Sequence, residues 1–131
     1  MIEYQKILNK NMLNVLKDIL KDIRINGLTN NNQLYITFLT NHKNVKLPSW
    51  IKQRYPKDMT ILIQYEYYNL EVNKNNFSIS LSFNNIKTNI KVDYDSIISF
   101  ADPSANFGLI LKKNKVQKKE LNLKDNKLKK D

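Results

Sequence analysis

The chain has 131 residues, which suits a single domain, and 41% of them are hydrophobic, enough for one compact core. It contains no cysteine, so disulfides, thiol nucleophiles and thiolate metal sites are excluded. With two glycines it can hold neither a phosphate-binding loop nor a dinucleotide-binding fingerprint. No uncharged run approaches the length of about 20 residues that a membrane span requires, and we expect a cytoplasmic protein.

The formal net charge is +10, and most of the excess lies at the carboxyl end. Residues 112–131 carry nine lysines and three acidic residues, a balance of +6, which leaves +4 for residues 1–111. Such a lysine-rich composition cannot offset the entropy of ordering the chain, so a flexible tail is predicted from residue 112 onward. A nucleic-acid partner is an alternative reading of this charge, although the chain has only two arginines.

Residues 2–24 are predicted to form an amphipathic helix, because apolar side chains recur every three or four positions from Tyr4 to Ile23. Gly27 follows where a C-terminal cap would fall. The apolar stripe either covers a sheet of its own chain or forms a dimer interface, and both interpretations stay open. The candidate interface residues are Ile7, Met12, Leu16 and Ile19.

Antiparallel strands on short connections are predicted next. They are expected at 34–39, 45–47, 59–68, 77–83, 86–92 and 107–111. In 77–83 apolar residues alternate with serines, which is typical of a strand with one buried face. Asn84 and Asn85 suit a tight hairpin because Asn tolerates a positive φ.

Asp93 to Ser96 are predicted to cap a short helical turn that carries Ile97, Ile98 and Phe100. The order of one helix followed by several strands predicts an α+β domain. It would have an N-terminal amphipathic helix, a small antiparallel, barrel-like β-sheet and a C-terminal tail.

Catalytic chemistry is hard to place on this chain. His42 is the one histidine, in a polar loop, and Asp93 and Asp95 are expected to serve as caps rather than as an acid–base pair. Among Tyr65, Tyr67 and Tyr68, half-buried sheet tyrosines are favoured over a base-stacking surface. The sequence therefore predicts neither an enzyme nor a metal or cofactor site.

Three stretches occur together in a recognisable order. They are 34–50, the alternating strand 77–83 with its hairpin, and 99–109 with the run Phe100-Ala-Asp-Pro-Ser-Ala-Asn-Phe-Gly108. This set resembles the stringent starvation protein B (SspB) family, in particular its alpha-proteobacterial branch. The resemblance implies a homodimeric adaptor that binds ssrA degradation tags through residues 1–111. A module in residues 112–131 would dock on the ClpX unfoldase of the ClpXP protease.

The resemblance also implies which residues hold the tag, an extended peptide. The peptide-binding candidates are His42, Asn44, Val45, Leu47, Pro48, Leu81, Phe83 and Ala101, and Lys43 and Lys46 would favour an acidic tag. The ClpX-docking candidates are Leu121, Leu123 and Leu128. For the apolar members of the first set, packing in the core is an equal alternative. A small RNA-binding barrel with a basic tail, or an interaction domain with neither ligand, are the competing functions.

Overall fold

The structure is a computed structural model that describes residues 1–29 and 31–112. The helices are α1 (Tyr4–Asn26) and α2 (Ser49–Arg54), and two 3₁₀ turns lie at Tyr94–Ser96 and Pro103–Ala105. The strands are β1 (Leu34–Leu39), β2 (Asp58–Ile63), β3 (Tyr68–Val72), β4 (Asn76–Phe83), β5 (Ile86–Asp93), β6 (Ile97–Asp102) and β7 (Phe107–Ile110).

The strands form two antiparallel sheets. One has the order β2-β1-β6-β7 and the other the order β3-β4-β5. The two sheets share one core, which holds buried side chains such as Phe38 and Phe100 of the first sheet and Phe77 of the second. The predicted α+β class is confirmed, and the sheets do not join into a closed barrel.

Helix α1 begins two residues later and ends two residues later than predicted. Its buried side chains are Met12, Leu16, Leu20 and Ile23, so this stripe packs against the strands of its own chain. Gly27 ends the helix with φ +74°, and its N–H donates to the carbonyl of Ile23 at 2.8 Å. The predicted glycine cap is confirmed.

The prediction of one strand over 59–68 is wrong. β2 ends at Ile63, and the chain crosses through Tyr65, which has φ +44°, into β3 of the other sheet. Tyr65 is consequently exposed in a loop, whereas Tyr67 packs against the core. Apolar or aromatic residues continue at every second position across this crossing, at Ile61, Ile63, Tyr65 and Tyr67, so periodicity could not reveal it.

Three local predictions also need correction. Ile97, Ile98 and Phe100 belong to strand β6 and not to a helical turn, although Asp93 does cap the turn before it by accepting from the N–H of Asp95 at 2.8 Å. Residues 45–47 do not form a strand, since only Lys46 pairs with another strand. The serine face of β4 is largely buried, not solvated.

The burial of the serines follows from the central position of β4. Ser80 lies between Tyr68 of β3 and Asn89 of β5, and the Asn89 side chain donates to its Oγ at 3.0 Å. Long side chains on both neighbouring strands cover the short serine side chain, so the outer face of this sheet is polar yet partly shielded.

The β4–β5 hairpin turns at Asn84 and Asn85, with φ +52° and +64°, as the Asn pair predicts. We expect Asn85→Val to reduce the free energy of unfolding by about 1–2 kcal/mol, because a β-branched residue is strained in the left-handed region. Denaturant unfolding measures the change. Asn85→Gly is the control and should be at least as stable as the parent; a Val variant of parent stability would contradict the assignment.

Candidate functional site

The loop before α2 holds five of the peptide-binding candidates. The His42 Nδ1 accepts from the backbone N–H of Asn44 at 3.1 Å, and the His42 carbonyl accepts from the N–H of Val45 at 3.1 Å. Val45 is 1% exposed, so it is a core residue. Leu47 is partly buried against the core, and the Pro48 carbonyl accepts from the N–H groups of Ile51 and Lys52 in α2.

The other candidates divide between the two sheets. Leu81 is 5% exposed in the core, and Phe83 packs partly against the core near the hairpin. Ala101 lies on β6 opposite Tyr35 and Gly108, with its side chain on the face away from buried Phe100. Ala101 therefore lies on the outer face of the four-stranded sheet, on a different surface from Leu81 and Phe83.

Strand β5 has one paired edge and one largely open edge. β4 pairs with it from Ile86 to Asp93, and on the other side Lys46 is the one residue of 1–29 and 31–112 that pairs, with Lys91. That pair makes two backbone hydrogen bonds, Lys46 N–H to the Lys91 carbonyl at 2.9 Å and Lys91 N–H to the Lys46 carbonyl at 3.1 Å. We call residues 86–90 on this side the open edge of β5.

The direction of the backbone groups on this edge follows from the Lys46–Lys91 pair. In an antiparallel ladder successive residues direct their N–H and C=O to alternate sides. Lys87 and Asn89, four and two residues before Lys91, therefore point theirs at the open edge. Within the described part of the chain neither has a backbone hydrogen-bond partner on that side. An extended segment could pair there.

Pairing stops after Lys46 for a local reason. Pro48 has no N–H and its carbonyl is used by α2, so the chain turns into the helix instead of following β5. Ile51, 1% exposed, anchors α2 in the core. Lys46 therefore supplies the first pair of a ladder along β5, and no other segment of the described chain continues that ladder beside Leu47 and Pro48.

The two faces of β5 differ in chemistry. Lys87, Asn89 and Lys91 lie on the outer, solvated face, whereas Ile86 and Thr88 lie on the face that carries the core residues of this sheet. Ile86 is 56% exposed because the hairpin extends beyond the core. The edge therefore has a basic side and an apolar side.

The basic side has its nearest acidic residue of the same cross-strand row two strands away, since Lys91 pairs with Ser78 of β4 and Ser78 pairs with Glu71 of β3. Lys46 and Lys91 are directly opposite one another, and like charges in this position repel. The Lys87 Nζ lies 4.0 Å from the centroid of the Tyr68 ring. An anionic side chain placed between these lysines would be stabilised.

Sequence reasoning missed Lys87 and Asn89. A signal existed, because a two-residue hairpin makes Phe83 and Ile86 a hydrogen-bonded pair, and this sets which backbone groups of β5 face away from β4. Only the tertiary structure, however, shows that the described chain pairs with the far edge at Lys91 and leaves the rest of that edge unpaired.

Asn44 lies apart from this edge, in a cleft of about 1190 Å³ between the first half of α1 and the turns near Asn75 and Tyr94. The Tyr94 hydroxyl donates to the Asn73 carbonyl at 3.1 Å, and the Lys17 Nζ lies 4.7 Å from its ring centroid. Burial raises the pKa of Tyr94 to about 12. The phenol is therefore neutral and structural at physiological pH.

The dimer-interface candidates differ in accessibility. Ile7 is 54% exposed, and Ile19 is partly buried. Met12 and Leu16 are 8% and 0% exposed in the core of their own chain, so a partner could not reach Leu16 on the folded surface. Tyr4 lies three positions before Ile7 and four before Leu8, so these three exposed side chains are neighbours on one face of α1.

The candidates Leu121, Leu123 and Leu128 lie outside the described residues. Among residues 1–29 and 31–112, no three His, Asp or Glu side chains are grouped as metal ligands. Neither helix that the structure describes is long and apolar enough to cross a membrane.

The molecule is thus a small α+β domain with a strand edge open to another chain. A family model described as stringent starvation protein B matches residues 6–131. Because the match covers nearly the whole chain, the protein belongs to the stringent starvation protein B family, which is a family of protease adaptors. A sequence comparison of the chain with curated proteins gave no match.

Proposed function

We propose that this protein is an adaptor that binds ssrA-type degradation tags and delivers tagged proteins to the ClpXP protease. Family membership supports the adaptor role. The observation that carries the tag-binding half is the open edge of β5, where the N–H and C=O groups of Lys87 and Asn89 are available. A tag is an unstructured peptide, and adding it as a strand is an established way for a small β-domain to hold one.

A bound tag would continue the ladder that Lys46 begins. Its alternate side chains would then face opposite sides. One set would lie towards Lys87 and Lys91, which favours Asp or Glu, and the other towards Ile86 and Leu47, which favours small apolar residues. Of the original candidates, Leu47, Pro48 and Phe83 stay in the proposed site. His42 shapes the loop before it, and Val45 and Leu81 support it from the core.

Delivery is assigned to the lysine-rich tail, residues 112–131. We propose Leu121, Leu123 and Leu128 as the side chains that contact ClpX. A tethered docking segment makes the second contact effectively intramolecular, with local concentrations of order mM for short flexible linkers. Weak contacts then suffice, and an adaptor of this kind would act in the cytoplasm.

The deciding experiment is degradation of an ssrA-tagged fluorescent reporter by ClpXP, with and without the protein. We expect the adaptor to lower the KM for the reporter and to leave an untagged reporter unaffected. Titration of labelled tag peptide and of single-stranded RNA over a salt series separates the competing function. RNA binding with a steep salt dependence and no peptide binding would overturn the proposal.

We further propose a homodimer formed through the exposed face of α1 at Tyr4, Ile7 and Leu8. Ile7→Asp should dissociate the dimer and leave each chain folded, because the side chain is already 54% exposed in the single chain. Leu16→Asp should instead unfold the chain, since it buries an unpaired carboxylate. Light scattering gives the molar mass and thermal unfolding the stability; an Ile7→Asp protein of unchanged molar mass contradicts this interface.

A further inference from the structure

A second concave surface lies between α1 and β7 and has no role in the proposed function. It is a groove of about 610 Å³ between the second half of α1 and the start of β7, which we call the α1–β7 groove. Its apolar lining includes Val15, Ile19, Leu28 and Phe107. Val15 is 39% exposed, and Ile19, Leu28 and Phe107 are only partly buried, so the apolar surface is accessible.

The charged residues that line the groove are all acidic. They are Asp18, Asp22 and Asp102, and none of the described lining residues is Lys or Arg. This stands in contrast to a chain with a net charge of +10. An acidic and apolar groove in a basic protein selects an occupant that carries both lysines and large aliphatic side chains.

Asp102 is held as a carboxylate by its neighbours. Its Oδ1 accepts from the Ser104 N–H at 3.0 Å and the Ser104 hydroxyl at 2.5 Å, and its Oδ2 accepts from the Asn32 amide at 2.8 Å. Burial favours a higher pKa, but these bonds and one from the Gln33 backbone outweigh it and lower the pKa of Asp102. The groove therefore keeps this negative charge at neutral pH.

The chain itself contains a segment of the required composition. Residues 113–131 include eight lysines together with Leu121, Leu123 and Leu128. We propose that this C-terminal segment docks in the α1–β7 groove of its own chain, with its leucines on the apolar lining and its lysines at Asp18 and Asp22.

The position of the last described residue makes this docking sterically accessible. The Lys112 carbonyl accepts from the Asn9 side chain at 2.6 Å, so the chain leaves the described structure beside α1, one wall of the groove. Ile19 lies ten residues further along α1, a distance of about 15 Å. The nine residues from Lys112 to Leu121 can span about 30 Å when extended. The segment is therefore long enough for Leu121 to reach the groove.

Docking of this kind has a functional consequence. The leucines in the groove are the same ones that we propose for ClpX, so the groove would shield them until the unfoldase competes for them. The inference goes beyond the proposed function, because the groove contains none of Lys46, Lys87 or Asn89. Loss of groove docking would leave tag affinity unchanged, and the two proposals can fail separately.

The test uses the full-length chain with the substitution Asp131→Cys. Because the parent protein has no cysteine, this substitution introduces a single thiol for labelling. A nitroxide spin label attached there broadens amide signals of nearby residues in the ¹⁵N-labelled protein. We expect the amides of Leu28, Ala105 and Phe107 to lose most of their peak intensity. The loss should disappear in the double variant Asp18→Asn, Asp22→Asn and persist in the matched control Asp58→Asn, Glu66→Gln, which removes two exposed acids elsewhere.

Three outcomes would overturn the proposal. The first is uniform broadening, or broadening confined to the cleft near Tyr94. The second is an equal loss of the effect in the Asp58, Glu66 control. The third is full broadening in a mixture of two samples, one spin-labelled at natural isotope abundance and the other ¹⁵N-enriched without a spin label. That result would make the tail or another part of a second copy the occupant.

Discussion

Asn89→Pro is expected to abolish most tag-peptide binding while the protein stays folded. The Asn89 N–H points to the open edge of β5, so proline removes a donor that the β4–β5 ladder does not use. Loss of one hydrogen bond, with the peptide carbonyl left unpaired at the open edge of β5, corresponds to about 1–3 kcal/mol. That is a decrease in affinity of roughly 5- to 150-fold. Fluorescence anisotropy with a labelled ssrA peptide measures it.

Asn89→Ala is the matched control, because it keeps the N–H and removes the side chain that donates to Ser80 Oγ. We expect it to bind the peptide within a few-fold of the parent. Thermal unfolding of both variants distinguishes a lost contact from a lost fold. Unchanged peptide affinity in a folded Asn89→Pro protein would show that the tag does not pair with β5.

Removal of residues 113–131 should abolish stimulation of ClpXP and leave tag-peptide affinity nearly unchanged. The proposed tag site is formed by β5 and the loop before α2, which are separate from these residues in the chain, whereas the proposed tethered delivery depends on them. Because linked modules gain about 10²- to 10⁴-fold in avidity, the apparent affinity for the unfoldase should fall by at least about 100-fold. Reporter degradation and peptide anisotropy are measured side by side.

The control for the deletion keeps the length and the lysines of the tail and changes Leu121, Leu123 and Leu128 to Asn. It should lose stimulation as the deletion does, if the leucines make the contact with ClpX. A tail-deleted protein that also loses tag affinity would place the tail in the peptide site. Persistent stimulation after deletion would remove the tail from delivery.

Local interactions made several elements predictable from the sequence. The 3.6-residue spacing of Met12, Leu16, Leu20 and Ile23 defined helix α1, and Gly27 supplied the positive φ at its end. Asn84 and Asn85 specified a two-residue turn, and Asp93 specified a cap. In each case the hydrogen bonds join residues only a few positions apart, so residue type and spacing are enough.

The composition and family resemblance also carried the general assignment. The absence of cysteine and the near absence of glycine excluded whole classes of chemistry. The ordered set of motifs predicted the family, and the family match over residues 6–131 confirms it. The individual peptide-binding residues stay predictions. Val45 and Leu81 are apolar because they fill the core, and an apolar residue in a strand has the same pattern in either role.

Long-range pairing was decided only by the tertiary structure. The crossing at Tyr65 divides one stretch of alternating apolar and polar residues between two sheets, and the bridge from Lys46 to Lys91 joins residues 45 positions apart. Because that bridge involves Lys91 alone on this side of β5, the backbone groups of Lys87 and Asn89 have no partner there in the described chain. The α1–β7 groove likewise brings Asp18 and Phe107 to one surface. Periodicity records which side of a strand or helix is apolar, but it holds no information on which distant segment will lie beside it.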